Sequence, residues 1–402
     1  MLEQEKAFEK LSKLKVGALF CEQGTGKTKV ALDLIASKKD KVNYILWICP
    51  FSIKQEIETE RLKWHSELSI DVVGVETISM SDRTYIDIFN KVSNSRTFII
   101  VDESLKIKNK DAKRTQRILE LGRKSDYRLI LNGTPISKNV LDLYTQMEFL
   151  SPKILNMSYN QFKNIYCEYY IRGNLKGLVK KQHNIEHLIS KIKPYIFDSQ
   201  LEINSKKYYY SYEYSLENIE EYQEIKDKYL TRLDWGFDFM SFTTELQHCY
   251  CNSEKRQKML NELINNINEP VIVFVKFLSS IPTDAISING DTKERKQIIQ
   301  DFKDNKIKVL YITYGCGSFG LNFQNCRHII FLEHTFDYAV REQAEARIYR
   351  IGQTKNVNYY DFKCNIGLER LICSSLEKKS NLLQEIKKEI ELKGVEEWGR
   401  TI

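Results

Sequence analysis

Short apolar runs, each followed by a polar stretch with helical period, recur along this chain and confine it to few architectures. Tyr44–Cys49, Thr97–Val101 and Arg128–Leu131 fall in the first half; Val271–Val275, Val309–Ile312 and His328–Leu332 fall in the second. Runs this short and this apolar predict strands buried on both faces, which implies parallel sheets covered by helices on either side. The pattern occurs twice, separated by residues 150–250, which are rich in Tyr and Lys and mostly helical in period. The expectation is an α/β fold of two tandem lobes, 1–200 and 201–402, with the boundary within Pro194–Ser205. A helical protrusion at 151–195 and a short charged helix at 380–402 complete it. A chain of 402 residues is long enough for two separate cores.

Composition narrows the class. With 42% hydrophobic and 29% charged residues the chain reads as globular, neither disordered nor fibrous. No apolar run approaches the roughly 18–20 residues of a membrane span, and Met1–Lys6 lacks a signal peptide's apolar core. The nine cysteines are scattered without a Cys-x-x-Cys pair, which argues for reduced thiols and a cytoplasmic location. A net charge of +7 is compatible with a polyanionic partner and is no more than that.

A phosphate site is written near the start. After the apolar Gly17–Phe20 comes Cys21-Glu22-Gln23-Gly24-Thr25-Gly26-Lys27-Thr28, then the helical Val30–Ile35. Strand, glycine loop and helix in this order let backbone N–H groups point at phosphate, with Gly24 and Gly26 leaving them unobstructed beside Thr25. Lys27 then reaches the β- and γ-phosphates of ATP, and the Thr28 hydroxyl ligates Mg²⁺. Cys21 replaces the first glycine of the usual pattern. Downstream, Phe98–Val101 runs into Asp102-Glu103. An acid at a strand's carboxyl end suits Asp102 to hold Mg²⁺ through water, and Glu103 to polarise an attacking water.

Beyond that pair the chain reads Ser104-Leu105-Lys106-Ile107-Lys108-Asn109, then Asn132-Gly133-Thr134-Pro135, then Gly315–Asn322, and finally Gln343-Ala344-Glu345-Ala346-Arg347-Ile348-Tyr349-Arg350-Ile351-Gly352-Gln353. In order and spacing this resembles the Swi/Snf-type ATPases of helicase superfamily two, over about residues 2–380. The resemblance implies two RecA-like P-loop lobes and a DNA-dependent ATPase or translocase. Such an enzyme couples hydrolysis to movement along, or remodelling of, duplex or forked DNA without sequence preference, in replication, repair or recombination. It implies an adenine-reading Gln4, backbone contacts from Ser52 and Lys54 within Pro50–Lys54, and contacts from Thr313, Gly317 and Asn322 to either the nucleic-acid backbone or the ATP site. Gly133, Thr134 and Pro135 are implied to couple nucleotide state to lobe movement, and Arg295 to precede the helix ending in Asp301-Phe302. Two departures stand out: Leu105 replaces the histidine common in the acid motif, and Ile57 replaces a tryptophan.

Physical argument supports the last motif. Gln343, Arg347 and Arg350 are spaced i, i+4, i+7 and form one stripe if helical. Guanidiniums in the lobe without the phosphate loop would act on the transferring phosphoryl group when the lobes close, a role worth roughly 10³–10⁵ in rate. The alternative is a solvated basic face.

Other constellations carry weaker signals. His248-Cys249-Tyr250-Cys251 offers metal-type ligands but reads as a helix, and His183, Glu186 and His187 fit an exposed helix face better than an inverted zincin. Tyr208, Tyr210, Tyr212 and Tyr214 alternate as in a core or edge strand, or offer a base-stacking platform. Lys176–Lys181 is either a DNA-contacting protrusion or a solvated face. The motifs leave little chain for accessory domains, so a prokaryotic or viral role is expected rather than nucleosome remodelling. Against the translocase reading stand a strand-separating DNA or RNA helicase, and an ATP-driven switch acting on a protein partner.

Overall fold

The structure, a computed structural model, describes residues 2–133, 135–136, 139–169, 179–201, 203–230, 239–317 and 322–377. Thr134, residues 176–178 of the basic segment, 318–321 and the expected helix at 380–402 lie outside them. The chain divides into two units, Met1–Glu202 and Ile203–Ile402.

In unit 1 the strands are β1 (Val16–Cys21), β2 (Tyr44–Cys49), β3 (Asp71–Gly74), β4 (Thr97–Asp102), β5 (Tyr127–Leu131) and, after a small antiparallel pair, β8 (Ile196–Ser199). They form one sheet in the order β3-β2-β4-β5-β1-β8, every neighbouring pair parallel. The apolar runs fail to alternate because both faces are covered: β4 is buried at every position, and β2 at all but its first. The helix Lys27–Ala36 buries Val30, Ala31, Leu32, Leu34 and Ile35. Within the expected helical protrusion, helices Tyr159–Tyr166 and Ile185–Ile192 flank strands β6 (Cys167–Tyr169) and β7 (Val179–Gln182). The segment is therefore not helical throughout.

Unit 2 repeats the plan with β9 (Lys207–Tyr214), β10 (Val271–Val275), β11 (Ser287–Ile288), β12 (Val309–Thr313), β13 (His328–Phe331) and β14 (Val357–Cys364), in the order β11-β12-β10-β13-β14-β9, again all parallel. β10 joins two apolar clusters among the described residues: Val271, Val273 and Val275 belong to one, Ile272 and Phe274 to the other. This is the period-two rule of a strand acting twice. β9 is an edge strand, and its tyrosines serve both faces: Tyr209 packs on Tyr359 at 5.1 Å between ring centroids, and Tyr210 stacks on Tyr360 at 5.2 Å. The segment His248–Cys251 ends the helix Phe239–Cys251, as its sequence implied. All nine cysteines are free; seven are buried, and Cys316 and Cys373, both in unit 2, are half-buried. Among the described residues no helix is long and apolar enough to cross a membrane.

Candidate nucleotide site and its neighbours

The glycine loop joins β1 to the helix Lys27–Ala36. Gly24 and Gly26 take φ of 80° and 83°, the left-handed region that costs glycine little. Cys21 lies in β1, in register with Ser199 of β8, so extended backbone suffices there and no glycine is needed. A Cβ on Gly26 would also collide with the amide of Gln4. That amide, carried by the helix Leu2–Leu11, donates to Thr25 O at 2.9 Å and fixes the loop from outside. The Thr25 hydroxyl donates to Glu22 O at 2.7 Å. Lys27 Nζ donates to Cys21 O at 2.6 Å and Glu22 O at 3.1 Å, so the ammonium lies over its own loop. Thr28 opens the helix beside it and is half-buried.

Strand order brings the acid pair near. β4, β5 and β1 are adjacent, with Asp102 in register with Leu131 and Leu131 with Leu19. Neighbouring strands lie about 4.8 Å apart, so the ends of β4 and β1 are separated by about twice that, with the Asn132-Gly133 turn between them. Gly133 packs on the phosphate loop: a Cβ there would stand 3.2 Å from Gln23 Cγ and 3.7 Å from Lys27 Nζ. Asp102 is buried, and burial together with the charge of Glu103 pushes its carboxyl up to about 7 against the pull of Lys27. Glu103 N donates back to Asp102 Oδ1 at 2.9 Å, and Glu103 itself holds φ 51° and ψ 52°, left-handed for a residue with a Cβ. Such strain persists where surroundings over-determine it, commonly at functional sites. Leu105, in the short helical turn Ser104–Ile107, is half-buried.

Ser52 is exposed in the turn after β2, and Lys54 opens the helix Lys54–Trp64 with its ammonium 5.7 Å from the Phe51 ring centroid. Ile57, where the family has tryptophan, is buried.

In unit 2, Thr313 ends β12 and Gly317 ends the helical turn Tyr314–Gly317. Asn322 Oδ1 is buried without a hydrogen-bond partner among the described residues. Arg295 starts the helix Arg295–Lys303 and clamps the preceding loop, donating to Asn289 O at 2.6 Å and Thr292 O at 3.2 Å. The expected helical stripe of Gln343, Arg347 and Arg350 needs correction: the helix is Tyr338–Glu345 and carries only Gln343. Arg347 N bonds Ala344 O, a three-residue turn, and Arg347 O accepts from Phe323 N at 3.0 Å. Arg347 is buried with Nε donating to Gln343 O at 2.9 Å, while Arg350 is half-buried in the following bend.

A buried charged network went unrecognised in the sequence. His334 Nδ1 meets Glu369 Oε1 at 2.5 Å and its Nε2 meets Asp361 Oδ1 at 3.0 Å. Asp361 also accepts from Arg341 at 2.5 Å, and Arg256 pairs with Glu333 at 2.6 Å. Burial opposes the imidazolium, but Glu369 and Asp361 outweigh it and hold His334 up at about 9. Ligand atoms of His334, Glu369 and Cys373 lie within 4.8 Å of one another, yet both imidazole nitrogens are already spent on carboxylates, so the cluster is an ion-pair hub and not a metal cradle. His183 faces Glu168 at 3.4 Å and His187 Nδ1 the Tyr166 hydroxyl at 3.0 Å.

A glycine loop after one parallel strand and an acid pair at the end of another, flanking a shared neighbour, define unit 1 as a P-loop nucleotide-binding lobe. The SNF2-related domain matches residues 73–264 and the helicase conserved C-terminal domain residues 249–352. Relatives include the DNA annealing helicase and endonuclease ZRANB3 of Bos taurus, 24% identical over 90% of this chain and 38% of its own, and an uncharacterized ATP-dependent helicase of Mycoplasma pneumoniae, 24% identical over 91% and 40%. The chain thus spans about two fifths of these relatives' length. A solved SWI2/SNF2 ATPase core of Sulfolobus solfataricus in complex with dsDNA aligns at 22% identity over 95% of this chain and 92% of that one, with a TM-score of 0.44. Together the two matches span residues 73–352, and the chain is similar to SNF2-related, helicase-like proteins.

Proposed function

We propose that the protein hydrolyses ATP under the control of DNA and uses the cycle to move along or remodel duplex or forked DNA. The observation that carries this is the row of loops on β1, β5 and β4: Lys27, Gly133 and Asp102-Glu103 stand on neighbouring strand ends of one sheet. Gly24, Thr25, Gly26 and Lys27 bind the phosphates, with Gln4 at the base side of the loop. Glu103 orients the attacking water, and Gln343, Arg347 and Arg350 neutralise charge on the transferred group. Ser52, Lys54, Thr313, Gly317 and Asn322 contact nucleic acid, through phosphates where affinity is sequence-independent. Gly133, Thr134 and Pro135 relay nucleotide state.

Mg²⁺ fits the donors present. Asp102 and Thr28 supply hard oxygen ligands, and a carboxyl pushed up to about 7 by burial and Glu103 marks a place short of positive charge. When bound, the ion neutralises phosphate charge; holding it falls to Asp102 and Thr28, while Lys27 and Glu103 keep the roles given above.

Steady-state ATPase with no nucleic acid, single-stranded DNA, duplex DNA, forked DNA and RNA tests the proposal. Stimulation by duplex or forked DNA supports it; stimulation by RNA, or by single strands alone, refutes it. Leu105 in place of the acid-motif histidine favours a second reading, the switch acting on a protein partner, for which turnover is indifferent to DNA.

A further inference from the structure

We propose that Gln146 is a positioning residue for hydrolysis, the side chain through which the acid loop is tied to Pro135, two positions after Gly133; this rests on the ATPase reading above. Ser104 directly follows Glu103, and its hydroxyl donates to Gln146 Oε1 at 2.6 Å. Gln146 Nε2 donates to Pro135 O at 2.8 Å and to Asp142 O at 2.7 Å, so both amide hydrogens and the amide oxygen are used. Asn132 Nδ2, at the start of the same loop, reaches Ser104 Oγ at 3.4 Å. Ser104 and Gln146 have no exposed surface and Asn132 has 2%.

A fully buried amide on a helix that also buries Met147, Phe149 and Leu150 is costly unless every polar atom is satisfied, and here they are. What the amide joins gives it meaning. One end steadies the residue next to Glu103, whose left-handed backbone needs support from its surroundings. The other end holds the loop whose Gly133 lies against Gln23 and Lys27. A shift of the phosphate loop is thereby transmitted to the acid that orients water. Thr145, one residue earlier and almost as buried, offers the contrast: its hydroxyl donates to Ile107 O at 2.6 Å, and among the described residues to no second loop.

The test uses the full chain with duplex DNA. Gln146→Met, which keeps volume and removes the amide, is expected to lower kcat roughly tenfold to hundredfold while KM for ATP and affinity for a fluorescent ADP analogue change less than about threefold. Thr145→Val is expected to keep kcat within about twofold at a comparable loss of Tm. Ser104→Ala cuts the same link from its other end and is expected to slow kcat about tenfold, and Ser104→Ala/Gln146→Met to be no slower than the slower single variant. An active wild type with unimpaired Gln146→Met overturns the inference alone, as does equal slowing by Thr145→Val. If Gln146→Met fails to fold, an unimpaired Ser104→Ala overturns it. A wild type that hydrolyses no ATP under any condition overturns the functional reading, and the inference with it.

Discussion

At the end of β4 in unit 1, Asp102 and Glu103 sit side by side with Lys27 as the opposing cation, and burial together with Glu103 pushes the Asp102 carboxyl up to about 7. At the end of β13 in unit 2, Glu333 and His334 also leave a parallel sheet in a buried place, but there every charge meets its opposite: Glu333 with Arg256, His334 with Glu369 and Asp361, Asp361 with Arg341. Two sheets of the same kind thus handle strand-end charge in opposite ways. A site that settles its own charges reads as structural, whereas a carboxylate pair left partly opposed fits the cation and phosphates proposed for it.

The comparison breaks most readily at the chemistry. Lys27→Ala or Glu103→Gln is expected to abolish turnover, and Arg350→Ala to spare ATP binding while lowering hydrolysis by roughly 10³-fold or more. Steady-state ATPase beside a filter-binding measurement checks this, and normal turnover in Arg350→Ala refutes the role given to that arginine. In unit 2 the largest effect is on stability. Glu333→Gln leaves the buried Arg256 guanidinium unopposed and is expected to cost about 3–5 kcal/mol in urea unfolding.

Titration sharpens the contrast. His334 is raised from its ordinary value to about 9, so its stabilising contribution is complete below about 6.5 and lost as pH rises through about 9. Unfolding free energies across that window should fall by on the order of 2 kcal/mol in the wild type and stay flatter in His334→Gln. Asp102 is raised from 3.8 to about 7, so its contribution is present below about 4 and lost as pH rises through about 7. Without nucleotide or metal, Asp102→Asn should therefore be more stable than wild type at pH 8, by on the order of 1 kcal/mol. Loss of stability in that variant would mean that the carboxylate is already compensated.

The strands most legible in the sequence are those with no polar position to blur them, such as Val271–Val275 and Tyr44–Cys49, whose boundaries the structure reproduces. β3 and β8 went unseen because Asp71, Gly74, Asp198 and Ser199 dilute runs of only four residues, and β11 has just two. The phosphate loop was readable because its glycines answer to local backbone geometry. The helix end at Glu345 was not, since Ala344-Glu345-Ala346-Arg347 contains no breaker, and the turn beyond it meets Phe323, 24 residues earlier by number, at the Arg347 carbonyl. Gln146 was invisible for the same reason: its partners Ser104 and Pro135 are 42 and 11 positions away, and nothing in an amide's identity says which buried groups it will meet.

The distribution of thiols offers a reporter that needs no engineering. Cys21, Cys49 and Cys167 are buried within unit 1, whereas the two half-buried cysteines, Cys316 and Cys373, belong to unit 2. An alkylating reagent applied to the folded chain is expected to mark unit 2 first, and mass added to Cys21 or Cys49 then clocks how often the first sheet breathes open.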